Sequence, residues 1–539
     1  MDMGKNIKIL SVVSIAALSL SILGCAADKT NTTQCGSRNF GKSPAIPTSY
    51  ETDKDGVMTK AYWDIWNKDV QKAIDERIEK FRKADAKIAL DAAPNSPVKV
   101  RQVSHKFFFG AHIFNFNQLG KKEYNDIYKS LYNKYDGLFN SATVALYWKC
   151  FEMEFDKPRF ETEYWDTEEF WENVKYPKRM PHWRRPPTDE VVDFCKSKNL
   201  RIHGHPLIWA DREWHYPELE IWQKYGTPEN VKFKKTAPHV GINVSGYVFT
   251  KKYKDSKIED LEKEFGAVAK GSAERSEIRV REIAKRYGDK IDSWDVVNES
   301  ARDFSLGNLP SKSKLITRSR YGIMEADYDF NAFRLAQKYL PEKARLNIND
   351  YLMEETYLKQ ILSLKQRGCK IDVVGSQMHL FNPKQTLDIS KGAKIQTPEQ
   401  VGEVMQMLST VGCPIHLSEI TITAAGTSDK ERMMQAITLR NLYRMWFSVE
   451  KMDGITWWNV VDDCGAPGEP SMSGLFTRDM KPKPAFFAMN NLINGEWKTN
   501  LDAKTDADGA LSFRGFRGEY EISYTDKNGK QKTIKYTLN

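Results

Sequence analysis

Short apolar runs alternate with amphipathic stretches along most of this chain. Eight runs have the length and composition of buried strands: residues 107–116, 141–148, 201–209, 291–297, 345–348, 373–378, 414–422 and 454–460. Apolar residues recur at helical spacing between them, over residues 123–139, 188–198, 271–287, 330–339, 354–366, 398–411 and 430–447. Eight strands that alternate with helices fit a closed barrel better than an open sheet. We therefore predict an α/β fold, a (β/α)8 TIM barrel.

The segments that flank this pattern predict a small accessory β-sheet. A helix is expected over residues 64–83, followed by extended runs at 87–90 and 98–103. The tail alternates polar and apolar positions over residues 511–513, 519–524 and 533–538, and Asn528-Gly529 is a hairpin turn signal. We expect the tail to share one sheet with the extended runs before the barrel.

The N-terminus has the pattern of an export signal. A basic start precedes an apolar stretch at residues 9–23, too short for a comfortable membrane-spanning helix. The sequence ILGC at residues 22–25 resembles the bacterial lipobox, so Cys25 is the expected lipidation site, with plain cleavage near Ala26 or Ala27 as the alternative. We expect an exported protein, lipid-anchored to a bacterial membrane, on the periplasmic or cell-surface side of the outer membrane, with no other membrane contact.

These patterns divide the chain into five parts. They are a lipoprotein signal peptide at 1–25, a flexible tether at 26–60, an N-terminal helix and strands at 61–104, the TIM barrel at 105–497 and a C-terminal β-strand extension at 498–539. Two long segments, 155–187 and 210–265, follow candidate strands. Both would lie at the C-terminal face of the barrel, where loops shape substrate binding.

Composition narrows the function classes. Basic residues (81) and acidic residues (72) are spread along the chain, and no nucleic-acid motif accompanies the net charge of +9, so a nucleic-acid partner is not expected. The seven cysteines show no CxxC spacing and no Cys/His zinc pattern. We predict no metal site and no organic cofactor. Aromatic residues are abundant, which suits either core packing or sugar stacking.

Two glutamates at strand ends are the candidates for chemistry. Glu299 ends the fourth strand run and Glu419 lies in the seventh. Retaining glycoside hydrolysis needs two carboxyl groups about 5 Å apart, one as acid/base and one as nucleophile. An acid at a strand end is more often a cap or a loop residue, so position alone is weak support.

The residues around these glutamates resemble glycoside hydrolase family 10, the endo-β-1,4-xylanase family. The matching segments are WDVVNE at 294–299, HGHPLIW at 203–209, INDY at 348–351, GSQMH at 375–379, LSEI at 417–420 and GITWW at 454–458. They occur in order within residues 100–495, and GLF at 474–476 and KPKPAF at 481–486 match the family's barrel closure. The chain is identified as a divergent bacterial lipoprotein member.

The resemblance implies a role for each matching residue. Glu299 would be the acid/base, Glu419 the nucleophile, and Asn298 would hydrogen-bond the sugar 2-hydroxyl. His379 would orient Glu419. The remaining predicted substrate-binding residues are Lys149, His205, Trp209, Gln377 and Trp458.

The second-strand segment departs from the family pattern. The family usually has Glu-Asn where this chain has Ala145-Leu146, a further histidine is replaced by Ala210, and the usual second Trp is not evident in residues 462–473. The resemblance therefore implies an intact catalytic centre with a rebuilt glycone wall. We predict a retaining, endo-acting hydrolase of the β-1,4-xylan backbone, with decorated xylan as a possible substrate. Two alternatives stay open: a retaining hydrolase of another β-linked glycan and a non-catalytic glycan-binding lipoprotein.

Overall fold

The structure is a computed structural model that describes residues 32–36, 38–152, 156–210, 233–235, 242–244, 256–319 and 322–539. The predicted signal peptide, including Cys25, lies outside these residues. The side chains of Lys149 and Cys150 are also outside the described part.

Eight parallel strands close into a barrel, which confirms the predicted fold. They are β1 (Phe108–His112), β2 (Ser141–Ala145), β3 (Arg201–His205), β4 (Ser293–Asn298), β5 (Arg345–Asp350), β6 (Val373–Leu380), β7 (Ile415–Ile422) and β8 (Met452–Trp457). Each strand pairs with its neighbours in sequence order, and β8 pairs with β1 to complete the ring. Every residue of β4 and of β7 is buried, as expected for parallel strands that are covered on both faces.

The helices of the barrel and its flanks follow the predicted order with different bounds. The α-helices are Lys60–Ile65, Lys68–Arg82, Lys122–Ser130, Trp148–Phe151, Glu168–Glu172, Thr188–Ser197, Ile258–Tyr287, Ala301–Ser305, Tyr328–Tyr339, Glu355–Gln366, Pro383–Ser390, Pro398–Ser409, Asp429–Phe447 and Pro484–Asn490. Shorter helical turns are Tyr164–Asp166, Pro177–Arg179 and Asn491–Glu496. Short strands outside the barrel and the accessory sheets are Gln34–Cys35, Arg38–Asn39, Ile208–Trp209, Phe233–Lys235, Ile242–Val244, Ile316–Ser319 and Gly322–Glu325.

Several element bounds differ from the sequence expectation, for example the helix expected over 123–139 ends at Ser130, and three of the differences have clear local reasons. The helix predicted over 64–83 is two helices, because the Asn67 side chain accepts hydrogen bonds from the backbone N–H groups of Asp69 and Val70 and caps a new helix. The helix predicted over 271–287 begins at Ile258, since buried Leu261 and Phe265 continue its apolar face upstream. The third strand is interrupted at Pro206, which has no N–H to donate to a neighbouring strand.

Segments from both ends of the chain form the accessory sheets, as predicted. One sheet has four strands in the order Asn500–Lys504, Pro97–His105, Gly518–Thr525 and Gln531–Leu538. The first expected run instead pairs separately, Lys83–Ala89 with Ala510–Phe516, so there are two sheets where we expected one. Their apolar faces enclose a second core that includes Val100, Leu511 and Ile522.

The described part of the predicted tether is packed against the barrel. Val57 and Met58 are buried in the main core, and the Asp53 carboxylate accepts hydrogen bonds from both of their backbone N–H groups and from Trp63 Nε1. Each of these contacts would be lost in a mobile linker, so this stretch does not behave as a tether. Over the described ranges, no helix is both long and apolar enough to cross a membrane.

Candidate active site

Glu299 and Glu419 lie on neighbouring parts of one barrel end. Glu299 directly follows β4 with a positive φ of 55°, which is uncommon for a residue with a side chain and is often found at functional positions. Its backbone N–H donates to Asn349 O at 2.8 Å, near the end of β5. Glu419 is buried within β7.

Gln377 of β6 connects the two carboxylates. Its Nε2 donates to Glu419 Oε1 at 3.0 Å and lies 3.4 Å from Glu299 Oε1. The two oxygens are therefore no farther apart than the sum of these distances, which is compatible with the ~5 Å spacing of a retaining pair. A register shift in β6 between Ser376 and Gln377 places Gln377 opposite Glu419.

Asn349 of β5 is a second hydrogen-bond donor to Glu419. Its Nδ2 donates to Glu419 Oε1 at 2.8 Å and to Asn298 Oδ1 at 2.9 Å, and its Oδ1 accepts from Ser418 Oγ at 2.5 Å. Residue 375 must be glycine here, because a Cβ at that position would lie 2.6 Å from Asn349 Oδ1. Glu419 Oε1 therefore accepts two side-chain hydrogen bonds before any sugar binds.

Two histidines flank Glu419. His379 Nε2 lies 3.5 Å from Glu419 Oε2, and its Nδ1 lies 3.0 Å from Thr421 Oγ1. His205 Nε2 lies 3.8 Å from Glu419 Oε1 and 3.1 Å from the Tyr147 hydroxyl. Both predicted histidines therefore reach the nucleophile candidate, one on each oxygen.

Asp295 of β4 positions His205 from below. Its Oδ2 accepts a hydrogen bond from His205 Nδ1 at 2.7 Å and lies 2.9 Å from His203 Nε2. Burial acts to raise the pKa of Asp295, but the interactions with the two histidines outweigh it and lower that pKa. Asp295 is thus a buried carboxylate beneath the site.

Aromatic side chains line the site on the β1, β2 and β8 side. Trp458, Phe114, Tyr147 and Ala145 form a buried cluster with Trp209 packed against it. The Trp458 ring lies edge-on to His205 at 5.5 Å between ring centroids, and Tyr147 lies 5.6 Å from Trp209. Ala145, one of the departures from the family pattern, is thus part of an apolar wall.

The structure adds two residues that the sequence analysis did not single out. Arg184, with only 3% of its side chain exposed, lies 3.4 Å from Glu469 Oε1. Glu469 also accepts from Trp458 Nε1 at 3.3 Å and from Asn459 Nδ2 at 2.8 Å. Burial raises the pKa of Glu469, but the Arg184 charge and the hydrogen bonds from Asn459 and from the Ala466 backbone N–H prevail and hold that pKa at about 2. The pair lies in loops far apart in sequence, and the only signal was the Arg- and Trp-rich composition of residues 155–187.

Arg185 packs beside this pair. Its guanidinium lies 3.6 Å above the centre of the Tyr147 ring, and its Nη1 donates to Arg184 O at 2.7 Å. The wall next to the two candidate glutamates therefore combines aromatic rings with buried positive charge.

The predicted site residues come together with one exception. Asn298, Glu299, Gln377 and Glu419 are joined by hydrogen bonds, and His205, His379, Trp209 and Trp458 surround them. The Lys149 side chain lies outside the described part of the chain. Among the described residues, no group of three or more His, Cys, Asp or Glu side chains could hold a metal ion.

Part of the chain matches the model of a known protein family. Residues 257–492 match the model of "Glycosyl hydrolase family 10". The chain is 26% identical over 334 residues to Endo-1,4-beta-xylanase C of Paenibacillus barcinonensis, covering 56% of this chain and 26% of that protein. It is 24% identical over 470 residues to Anti-sigma-I factor RsgI6 of Acetivibrio thermocellus, covering 86% of this chain and 47% of that protein. The chain thus spans about a quarter to a half of the length of these curated relatives.

Solved structures are also similar to this chain. A structure of GH10 from Paenibacillus barcinonensis aligns with a TM-score of 0.44 and 20% identity, covering 71% of this chain and 94% of that one.

Proposed function

Because this chain belongs to glycosyl hydrolase family 10, we propose that it cleaves the β-1,4-xylan backbone internally, with retention of anomeric configuration. The names of several curated relatives, which are endo-1,4-beta-xylanases, support the choice of substrate. The observation that carries the proposal is the shared contact of Gln377 with Glu299 and Glu419. That contact keeps two carboxylates within reach of one sugar carbon.

The chemistry proceeds in two displacements. In the first, Glu419 attacks the anomeric carbon, the glycosidic bond breaks, and Glu299 donates its proton to the departing oxygen. In the second, Glu299 takes a proton from water, the water oxygen attacks the same carbon, and the bond to Glu419 breaks. Asn349 and Gln377 hold Glu419 Oε1 in place throughout, and Asn298 faces the same centre.

The residues at the end of β2 bear on which glycan is preferred. Ala145 lies in the apolar cluster with Tyr147 and Trp458, and Leu146 is fully buried. Neither side chain offers a hydrogen bond to a sugar hydroxyl. This wall favours decorated xylan or another β-linked glycan over plain xylan as the preferred substrate.

Replacement of each glutamate tests the proposal directly. We expect Glu419→Ala and Glu299→Ala to lower kcat by at least a factor of about 10² to 10⁴, since each removes a group that acts in the transition state. The variants should keep the melting temperature of the parent, and Glu450→Ala is the matched control, because Glu450 is exposed and lies before the start of β8, at the opposite end of that strand from Trp458. Activity that survives Glu419→Ala on a natural glycan would overturn the assignment.

The stereochemical course is a separate test. Proton NMR of the first products should show the β-anomer, followed by mutarotation. Initial α-anomer would mean inversion and would exclude a nucleophilic role for Glu419. Parallel product profiles on plain xylan, decorated xylan and other β-glycans then select the substrate.

We also propose that Cys25 carries a lipid anchor on the exported protein. The support is the ILGC sequence after a basic start and an apolar stretch. Incorporation of labelled fatty acid into the parent but not into Cys25→Ala is the expected result. Equal labelling of both would refute it.

A further inference from the structure

An open cleft of about 760 Å³ lies beside the active site, on the same end of the barrel. Its walls come from the connections that follow β1, β2 and β8, at residues 119–124, 171–183 and 463–479. The volume lies within the range of small-molecule binding sites, about 300 to 1,000 Å³.

Aromatic rings line this cleft. Tyr176 is 52% exposed, Tyr124 is half-buried, and Trp171 and Trp183, which also line the cleft, are buried. An exposed ring in an aromatic lining suits the C–H face of a pyranose, which packs on aromatic surfaces.

Positive charge around the cleft exceeds negative charge. The basic residues that line it are Lys121, Lys175, Lys178, Arg179 and Arg478. The acidic residues that line it are Glu172, Asp463 and Asp479, and two of these already pair, Asp463 with Lys178 at 2.6 Å and Asp479 with Lys481 at 2.7 Å.

Four of the basic residues have no acidic partner within the described part of the chain. No carboxylate oxygen there lies within 4.0 Å of the charged nitrogens of Lys121, Lys175, Arg179 or Arg478. Lys175 and Arg179 both lie over the Tyr176 ring, at 5.4 and 4.6 Å, and Arg478 is fixed by donation to Leu119 O at 3.1 Å. A carboxylate that entered the cleft would therefore meet uncompensated cations next to an exposed ring.

We propose that this cleft binds the uronic acid group of an acidic oligosaccharide, with the pyranose ring on Tyr176 and its carboxylate on the surrounding Lys and Arg side chains. The ligand class rests on the proposed function, because it takes the protein to act on glycans. The cleft is separate from the catalytic pair. Trp183 at its edge donates to Gly465 O, and the next residue, Arg184, contacts Glu469, which in turn holds Trp458 in the active site.

Calorimetric titration of Glu419→Ala protein tests this site without turnover. The acidic probe is a xylo-oligosaccharide that bears one glucuronic acid group, and the neutral probe is the same oligosaccharide without it. We expect the acidic probe to bind at two sites. At one of them its affinity should fall about tenfold when Lys175→Ala/Arg179→Ala is added to Glu419→Ala. Tyr176→Ala should weaken that same site, and high salt should reduce the effect of the double variant.

The controls separate charge, folding and catalysis. Lys527→Ala/Lys530→Ala removes two exposed lysines from the hairpin turn of the accessory sheet and should leave acidic-probe binding unchanged. The double variant in an otherwise wild-type chain should hydrolyse neutral substrate at the parental rate. Unchanged acidic-probe binding in the double variant, or an equal loss with the neutral probe, would overturn the proposal.

The outcomes also distinguish this inference from the proposed function. Loss of acidic-probe binding in a protein that hydrolyses no glycan would support the cleft and reject the enzyme assignment. Hydrolysis that depends on Glu299 and Glu419, combined with unchanged acidic-probe binding in the double variant, would reject the cleft alone.

Discussion

Replacing Asp295 with asparagine removes a buried charge from beneath the active site while preserving the shape of the side chain. A single oxygen of Asp295 accepts a hydrogen bond from His205 Nδ1 at 2.7 Å and lies 2.9 Å from His203 Nε2. An amide oxygen in that position keeps both contacts, but without the charge. Hydrogen bonds to charged groups contribute about 1.5–3 kcal/mol and neutral ones about 0.5–1.5 kcal/mol, so the hydrogen bond from His205 should lose about 1 to 1.5 kcal/mol, to which the weakened contact with His203 adds.

The loss should depend on pH with a definite sign. The two histidines lower the pKa of Asp295 below its ordinary value in the folded protein, against the effect of burial. An acid with a depressed folded pKa stabilises the fold fully above its unfolded pKa, about 3.9; this contribution decreases as the pH falls below that value and is lost below the folded pKa. The parent and Asp295→Asn should therefore differ most near neutral pH and begin to converge below about pH 4.

Urea unfolding followed by tryptophan fluorescence at several pH values measures this difference. Asp502→Asn is the matched control, because Asp502 pairs with Arg101 on the surface at 2.7 Å and should contribute at most about 1 kcal/mol. An Asp295→Asn midpoint equal to that of the parent at pH 7 would refute the reasoning. A difference that stays undiminished at pH 3 would refute it as well.

Three further substitutions probe the site and the accessory sheets. Gln377→Ala should lower kcat by about 10- to 100-fold with little change in melting temperature, because Gln377 contacts both carboxylates; an unchanged kcat in steady-state assays would argue against its bridging role. Glu469→Gln should destabilise the fold by about 3 kcal/mol, since it leaves buried Arg184 without its partner. The pKa of Glu469 is about 2, so the difference in unfolding free energy between the parent and Glu469→Gln should be complete above about pH 5 and decrease below about pH 4.5. A difference that does not depend on pH would contradict the pairing of Glu469 with Arg184. Ile522→Ala should destabilise the second core by about 2–5 kcal/mol while kcat is retained; a lowered kcat in the folded variant would show that the accessory sheet acts on the site.

The barrel was predictable from sequence because its signals are local and repeated. Each strand run is short, rich in apolar residues and buried, and each helix has its own periodicity, so eight units were found in the right order. The two glutamates were predictable for a different reason. Their neighbouring residues, WDVVNE around Glu299 and LSEI around Glu419, resemble family motifs.

The remaining features depend on contacts that no local pattern encodes. Arg184 and Glu469 are 285 residues apart, and neither loop has a spacing that points to the other. The packing of Val57 and Met58 was missed because a polar, Pro-containing stretch resembles a linker until its tertiary contacts are known. The start of the helix Ile258–Tyr287 was hidden by the polar sequence before it.

The central place of the strand Pro97–His105 bears on how the protein is made. Its neighbours on both edges, Asn500–Lys504 and Gly518–Thr525, are synthesised only after the whole barrel has been translated. Until then the strand exposes two unpaired edges, which can recruit strands from another copy. A nonsense mutation after the barrel would make that exposure permanent, so the shortened product should be prone to aggregation even though it retains both Glu299 and Glu419.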